Sequence, residues 1–152
     1  MKPSFAQILM GAAGAVVRDI APRLQDEDDA FALGQAQIIG LLMVMAAQEA
    51  DRAADTLSLE TVAMRALFAE AAETPLPESF RRRLRAMAEA APADNFTIAA
   101  QQAVAAPMKA LLIELHEALE DRPDEWARPL EARVWDVLRL GADHRQIYLP
   151  VL

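Results

Sequence analysis

The stretch DDAFALGQAQIIGLLMVMAAQEADRAAD, residues 28–55, decides the fold. From Ala36 to Ala47 it is apolar nearly all round, with Gln37 and Gly40 the only relief. A helix without a polar face ordinarily belongs inside a bundle rather than on its surface. The expectation is an all-α, single-domain helical bundle of about six helices, spanning residues 1–152, with this helix at its centre. Burial of one leucine is worth ~1.5–3 kcal/mol, so Leu42→Asp is expected to leave the protein insoluble or unfolded.

Composition agrees with an all-α chain. The sequence has 152 residues, 54% of them hydrophobic and 25% charged, which suits one ordinary soluble domain. Alanine, the best helix former, is abundant, and the strand formers Val, Ile, Tyr and Thr are sparse. The net charge of -8 argues against nucleic acid or an anionic membrane surface as partner. The absence of cysteine excludes disulfides and thiolate chemistry and fits a cytoplasmic location.

Outward from the central stretch, the other helices are marked by caps and prolines. Ser4 and Gln7 match a capping box, and Pro22 should end the first helix at about Ala21. Lys2, the apolar run Ile8 to Val17 and Ala13-Gly14-Ala15 imitate a secretory leader. The recurrence of Phe5, Leu9, Ala12, Val16, Ile20 and Leu24 at helical spacing favours a helix of the fold instead. Gln25 to Asp29 is an acidic turn in which Asp26 or Asp28 can cap the central helix. No wholly apolar run reaches the ~18 residues of a spanning helix, and no membrane association is expected.

Thr56 to Ser58 reads as a break, with Ser58 capping a third helix to about Glu73, although one long helix through this point is compatible with the pattern. Its face is read as Leu59, Val62, Ala63, Ala66 and Leu67, widened by Met64 and Phe68, with Glu60 and Arg65 elsewhere. Thr74-Pro75-Leu76-Pro77 is strong punctuation, and Pro77 suits the first turn of a fourth helix ending near Ala90. Asp94 or Asn95 can cap the fifth. There Ile98, Ala105, Leu112 and Leu119 recur at sevens, with Gln101, Met108 and Leu115 between them: a seam suited to lengthwise packing. Pro107 should kink or divide that helix. The sixth begins at Pro123-Asp124-Glu125, buries Trp126, Leu130, Val134, Val137 and Leu138, and ends at Gly141. The apolar tail, with Ile147, Tyr148, Leu149, Val151 and Leu152, should dock on the body or on a second subunit.

The candidate chemistry is thin. A di-metal helical site needs Glu-x-x-His on two helices, but Ile113 and Gly141 stand three residues before the two histidines, His116 and His144. No zinc helix, phosphate loop or dinucleotide fingerprint is present, so neither metal nor cofactor is expected. His116, with Glu120 four residues on, is a candidate general base, and its plainer reading is a boundary histidine. Arg81 and Arg85 share a helix face in the one basic cluster and can hold an anion. Glu49, Arg52 and Arg65 are the candidates for a polar ligand site near the charged end of the central helix.

The segment Gln35 to Ala72, a long Ala-rich helix ending in Glu-x-Asp-Arg-Ala-Ala and followed by Met-Arg-Ala-Leu-Phe, resembles small all-helical bacterial proteins of unknown function encoded beside phosphotransferase-like and acyl-CoA dehydrogenase-like enzymes. The resemblance implies an accessory role and no active site. The expected function is a non-catalytic accessory or interaction module, homodimeric through the sixth helix and tail. The alternative is a small-ligand binder or an enzyme taking an acyl or carboxylate compound into an interhelical cavity with an arginine at its mouth.

Overall fold

The computed structural model describes residues 2–26, 29–120 and 122–148. They form six α-helices, α1 (Phe5–Ala15), α2 (Ala21–Asp26), α3 (Ala30–Ala71), α4 (Glu78–Glu89), α5 (Ile98–Glu120) and α6 (Ala127–His144), with a π-helical turn, Val16–Ile20, between α1 and α2. The protein is an all-α helical bundle. The chain groups into two compact units, one of residues 1–53 with 147–152, the other of residues 54–146.

In the first unit, the Ser4 capping box closes as expected: Gln7 N donates to Ser4 Oγ (3.2 Å) and Ser4 N to Gln7 Oε1 (2.8 Å). The helix does not stop at Ala21. Pro22 removes the hydrogen bond to the Arg18 carbonyl, and the wider π turn absorbs the misfit: Ala21 N reaches back to Val16 O and helix resumes as α2. Asp29 Oδ1 accepts from Ala32 N (2.9 Å) and caps α3; of the two caps expected, Asp28 lies outside the described residues and Asp26 closes α2. The chain thus turns back as a helical hairpin. A methyl placed on Gly40 would lie 3.3 Å from Val17 Cγ2 and 3.8 Å from Ala13 O. In the tail, Gln48 exchanges hydrogen bonds with the Tyr148 main chain (2.7 and 3.0 Å); Leu149, Val151 and Leu152 lie outside the described residues.

Residues 36–47 do not lie at the centre of a core. In this unit the buried side chains of the hairpin are small, Ala13, Ala21, Ala36 and Ala47, with Gly40 among them. Several of the large ones face outward: Phe31 is 75% exposed, Ile38 58% and Leu42 55%. The expectation of a central, wholly buried helix is therefore overturned. A two-helix hairpin has only one seam, and here that seam is made of small residues that let the backbones approach.

The second unit holds the core. Phe68, Met64, Leu67, Leu84, Met108, Leu115, Leu119, Leu130 and Val134 are its largest fully buried side chains. The expected break at Thr56 to Ser58 is absent, since α3 runs unbroken through it. No proline or glycine interrupts residues 50–73, and Thr61 satisfies its hydroxyl within the helix, donating to Leu57 O (2.7 Å). The buried stripe is Leu57, Glu60, Thr61, Met64, Leu67, Phe68 and Ala71. It is rotated from the expected face, and Leu59, Val62 and Ala66 are exposed.

The α5 seam is as read for Gln101, Ala105, Met108, Leu112, Leu115 and Leu119, while Ile98 is exposed. Gln101 Nε2 donates to Asn95 O (3.1 Å), and Thr97 Oγ1 rather than Asp94 or Asn95 accepts from the helix, at Ala100 N (3.3 Å). Pro107 does not divide α5. It and Ala103, whose carbonyl it frees, are on the exposed side, where water can bind that carbonyl. The α6 helix begins later than expected, at Ala127, after a turn in which Arg122 lies over the Trp126 ring (5.5 Å).

Candidate functional site

Glu60 is the anomaly of the second unit. It stands in the buried stripe of α3 and is 5% exposed. A carboxylate in that position must be paired, and two cations meet it. Arg145, one residue past α6, donates from both terminal nitrogens, Nη1 to Oε1 and Nη2 to Oε2 (2.8 Å). Lys109 Nζ of α5 lies 2.9 Å from Oε2. Burial raises the Glu60 pKa, but the hydrogen bonds and charges of Arg145 and Lys109 together outweigh it and hold the carboxyl below its ordinary value.

Gly141 makes this possible. A methyl at that position would collide with the Glu60 carboxylate and lie 3.0 Å from Arg145 Nη1. Gly141 does not terminate α6, as expected, but lies inside it and is buried. Its carbonyl accepts from Arg145 Nη1 (2.9 Å), which places a cation on the final turn of the helix.

Beside this cluster opens a half-open cavity of about 330 Å³ between α3, α5 and α6. Met64, Leu112, Val134, Val137 and Leu138 supply apolar wall, with Glu60, Lys109 and Arg145 as polar lining. His116 also lines it. Its ring meets the Trp135 ring edge-on, centroids 5.2 Å apart, and among the described residues its Nδ1 is buried without a hydrogen-bond partner. A carboxylate kept ionised by two cations is a poor proton acceptor, so the cluster suits recognition of charge better than acid–base chemistry. A second, more open cavity of about 410 Å³ lies over Pro107 and Leu111. Its charges satisfy each other, Arg83 gripping Glu114 with two 2.7 Å bonds that lower the Glu114 pKa.

The residues singled out from sequence are scattered. His116 alone lines the first cavity. Arg65 caps the end of α4, donating to the carbonyls of Ala88 (3.2 Å), Ala90 and Ala91 (3.1 Å). Arg81 pairs with Glu78. Arg85 reaches Glu73 (3.4 Å), the Ala72 carbonyl (3.2 Å) and Glu78 (3.9 Å). Glu78 thus serves Arg81 and Arg85. Glu49, exposed, and Arg52, half-buried, belong to the first unit. Glu60, Lys109, Gly141 and Arg145 were missed. The available signal was Glu60 itself, which falls at the i, i+4, i+7 spacing with Met64 and Leu67.

The first unit offers a surface instead of a site. From Ala30 to Gln48 no residue is charged. The segment Ala30–Ala50 is long and apolar enough to cross a membrane, and 17% of its most apolar window is buried. No family model, curated protein or solved structure matches the chain.

Proposed function

We propose that the chain is a non-catalytic interaction module that works as a homodimer, the N-terminal hairpin of each copy covering that of the other. One observation carries the reading: the hairpin buries small residues and turns Phe31, Ile38, Leu42, Phe5 and Ile8 outward. An apolar face of that kind marks an interface. Two hairpins joined by a twofold axis make a four-helix bundle, the commonest way to close such a surface.

A second copy fits better than a bilayer. The α1–α2 arm beside α3 carries Arg18, Asp19 and Arg23, all exposed. The hairpin closes at Gly40 against Ala13 and Val17, near the middle of the apolar segment. Immersion would therefore carry Arg18 and Asp19 deep into the membrane, at ~2.5–3.5 kcal/mol each. Among the described residues, the sixth helix and tail, the surface expected from sequence, expose Trp135, Leu138, Ile147 and Tyr148. An accessory role in the cytoplasm is part of the same reading; it accords with the chain's lack of cysteine and with the resemblance of Gln35 to Ala72.

That lack also supplies the test. Ile38→Cys introduces a lone thiol on the proposed interface, and Val62→Cys one on an exposed face of the second unit. Under mild oxidation at micromolar concentration, Ile38→Cys should give a disulfide-linked dimer within minutes and Val62→Cys should form no covalent link. Equal, slow cross-linking of both would overturn the proposal.

A further inference from the structure

We propose that the cavity between α3, α5 and α6 binds a small apolar carboxylic acid, with its carboxylate on Lys109 and its hydrocarbon body along the trough toward His116. The polar end supplies the charge. Lys109 and Arg145 converge on Glu60, so the described residues bring two cations to one carboxylate. The Lys109 side chain is 44% exposed, and its ammonium has three donors, of which Glu60 takes one. An incoming carboxylate can accept from the others without displacing Glu60. In a chain of net charge -8, an ammonium with donors left over beside an apolar trough is a local attractor for anions.

The walls supply the body of the ligand. Met64, Leu112, Val134, Val137 and Leu138 are apolar, and methionine adapts to irregular hydrocarbon shapes. About 330 Å³ is at the small end of ligand pockets. Lys109 and His116 are seven residues apart on α5, on one side of the helix and ~10 Å apart along its axis. That length suits a medium-chain acid. His116 lines the far end of the trough, where its ring closes the wall against Trp135.

Glu60 would then be a positioning residue. It holds Arg145 and Lys109 at the cavity and does not touch the ligand. Gly141 is required for the same reason, since any side chain there would push the Glu60 carboxylate aside.

The probe is octanoate, titrated calorimetrically into the full chain beside octylammonium and octanol. All three share one tail, so the head group alone distinguishes them. Octanoate should bind one per chain and at least tenfold more tightly than either. Lys109→Met should reduce octanoate affinity about tenfold and leave octanol unchanged. Leu138→Trp, which fills the trough from a partly exposed position, should abolish binding of both. To separate this site from the hairpin surface, the titration is repeated in Leu42→Asp, where octanoate affinity should be unchanged. Octanoate binding no tighter than octanol, or surviving Leu138→Trp, or lost in Leu42→Asp, would overturn the assignment.

Discussion

The two units differ in the size of the side chains they bury. In the second, Phe68, Met64, Leu115 and Val134 are inside, packed with alanines such as Ala71 and Ala105. In the hairpin, the fully buried residues among those described are alanines and Gly40, and Phe31, Ile38 and Leu42 are outside. The first pattern is a finished core. The second leaves large apolar side chains in water, where they forfeit the main favourable term in folding, and the proposed dimer would cover them. The lesson is that hydrophobicity in a sequence does not say whether a residue's own chain covers it.

The largest expected effect breaks the comparison at its strongest point. Leu115→Ala should cost the second unit ~2–5 kcal/mol, read as a fall in denaturant midpoint. Ile38→Ala should change the stability of the dilute monomer by less than ~0.5 kcal/mol while weakening association. Equal effects from the two truncations would mean that the hairpin is not the open face described.

Next in size is the charge cluster. Glu60→Gln leaves two part-exposed cations facing a neutral amide and should cost about 2 kcal/mol, below the ~3–5 kcal/mol of a fully buried broken pair. The pH dependence has a definite sign. The folded pKa of Glu60 lies below the ordinary value of 4.5. The stability it contributes is therefore fully present above that value and is lost as pH falls through the folded pKa. Thermal melts should show a steeper acid limb in wild type than in Glu60→Gln, and superimposable limbs would remove Glu60 from the account.

The smallest effect sharpens the contrast from the hairpin side. Ser4→Ala removes the acceptor for Gln7 N and should cost ~1 kcal/mol. Hydrogen exchange should register it as faster exchange in the first turn of α1, with α5 amides unaffected.

Much of the fold was legible because its signals are local. The Ser4-Gln7 box, the Pro75-Pro77 punctuation and the sevenfold seam of α5 each depend on neighbours in sequence and appear where expected. Residues 36–47 misled for a physical reason: apolarity on every side implies cover, but not whether this chain or another provides it. The α3 stripe was placed on the wrong face because Val62 and Leu59 are as apolar as Met64 and Phe68, and only packing against α5 and α6 selects between them. The site escaped because its parts, Glu60, Lys109, Gly141 and Arg145, come together from up to 85 residues apart in sequence. Arg65, Arg81 and Arg85 attracted notice as charges, yet each is absorbed by a carbonyl or carboxylate close by in the fold.

The central claim is that the outward face of the hairpin is an interface between copies. Sedimentation equilibrium of the wild type and of Leu42→Asp at micromolar concentration tests it directly. The account predicts twice the chain mass of 16.6 kDa for wild type, and a single chain mass for Leu42→Asp with its helical circular dichroism retained. A monomeric wild type, or a Leu42→Asp chain that has lost its helices, would contradict it.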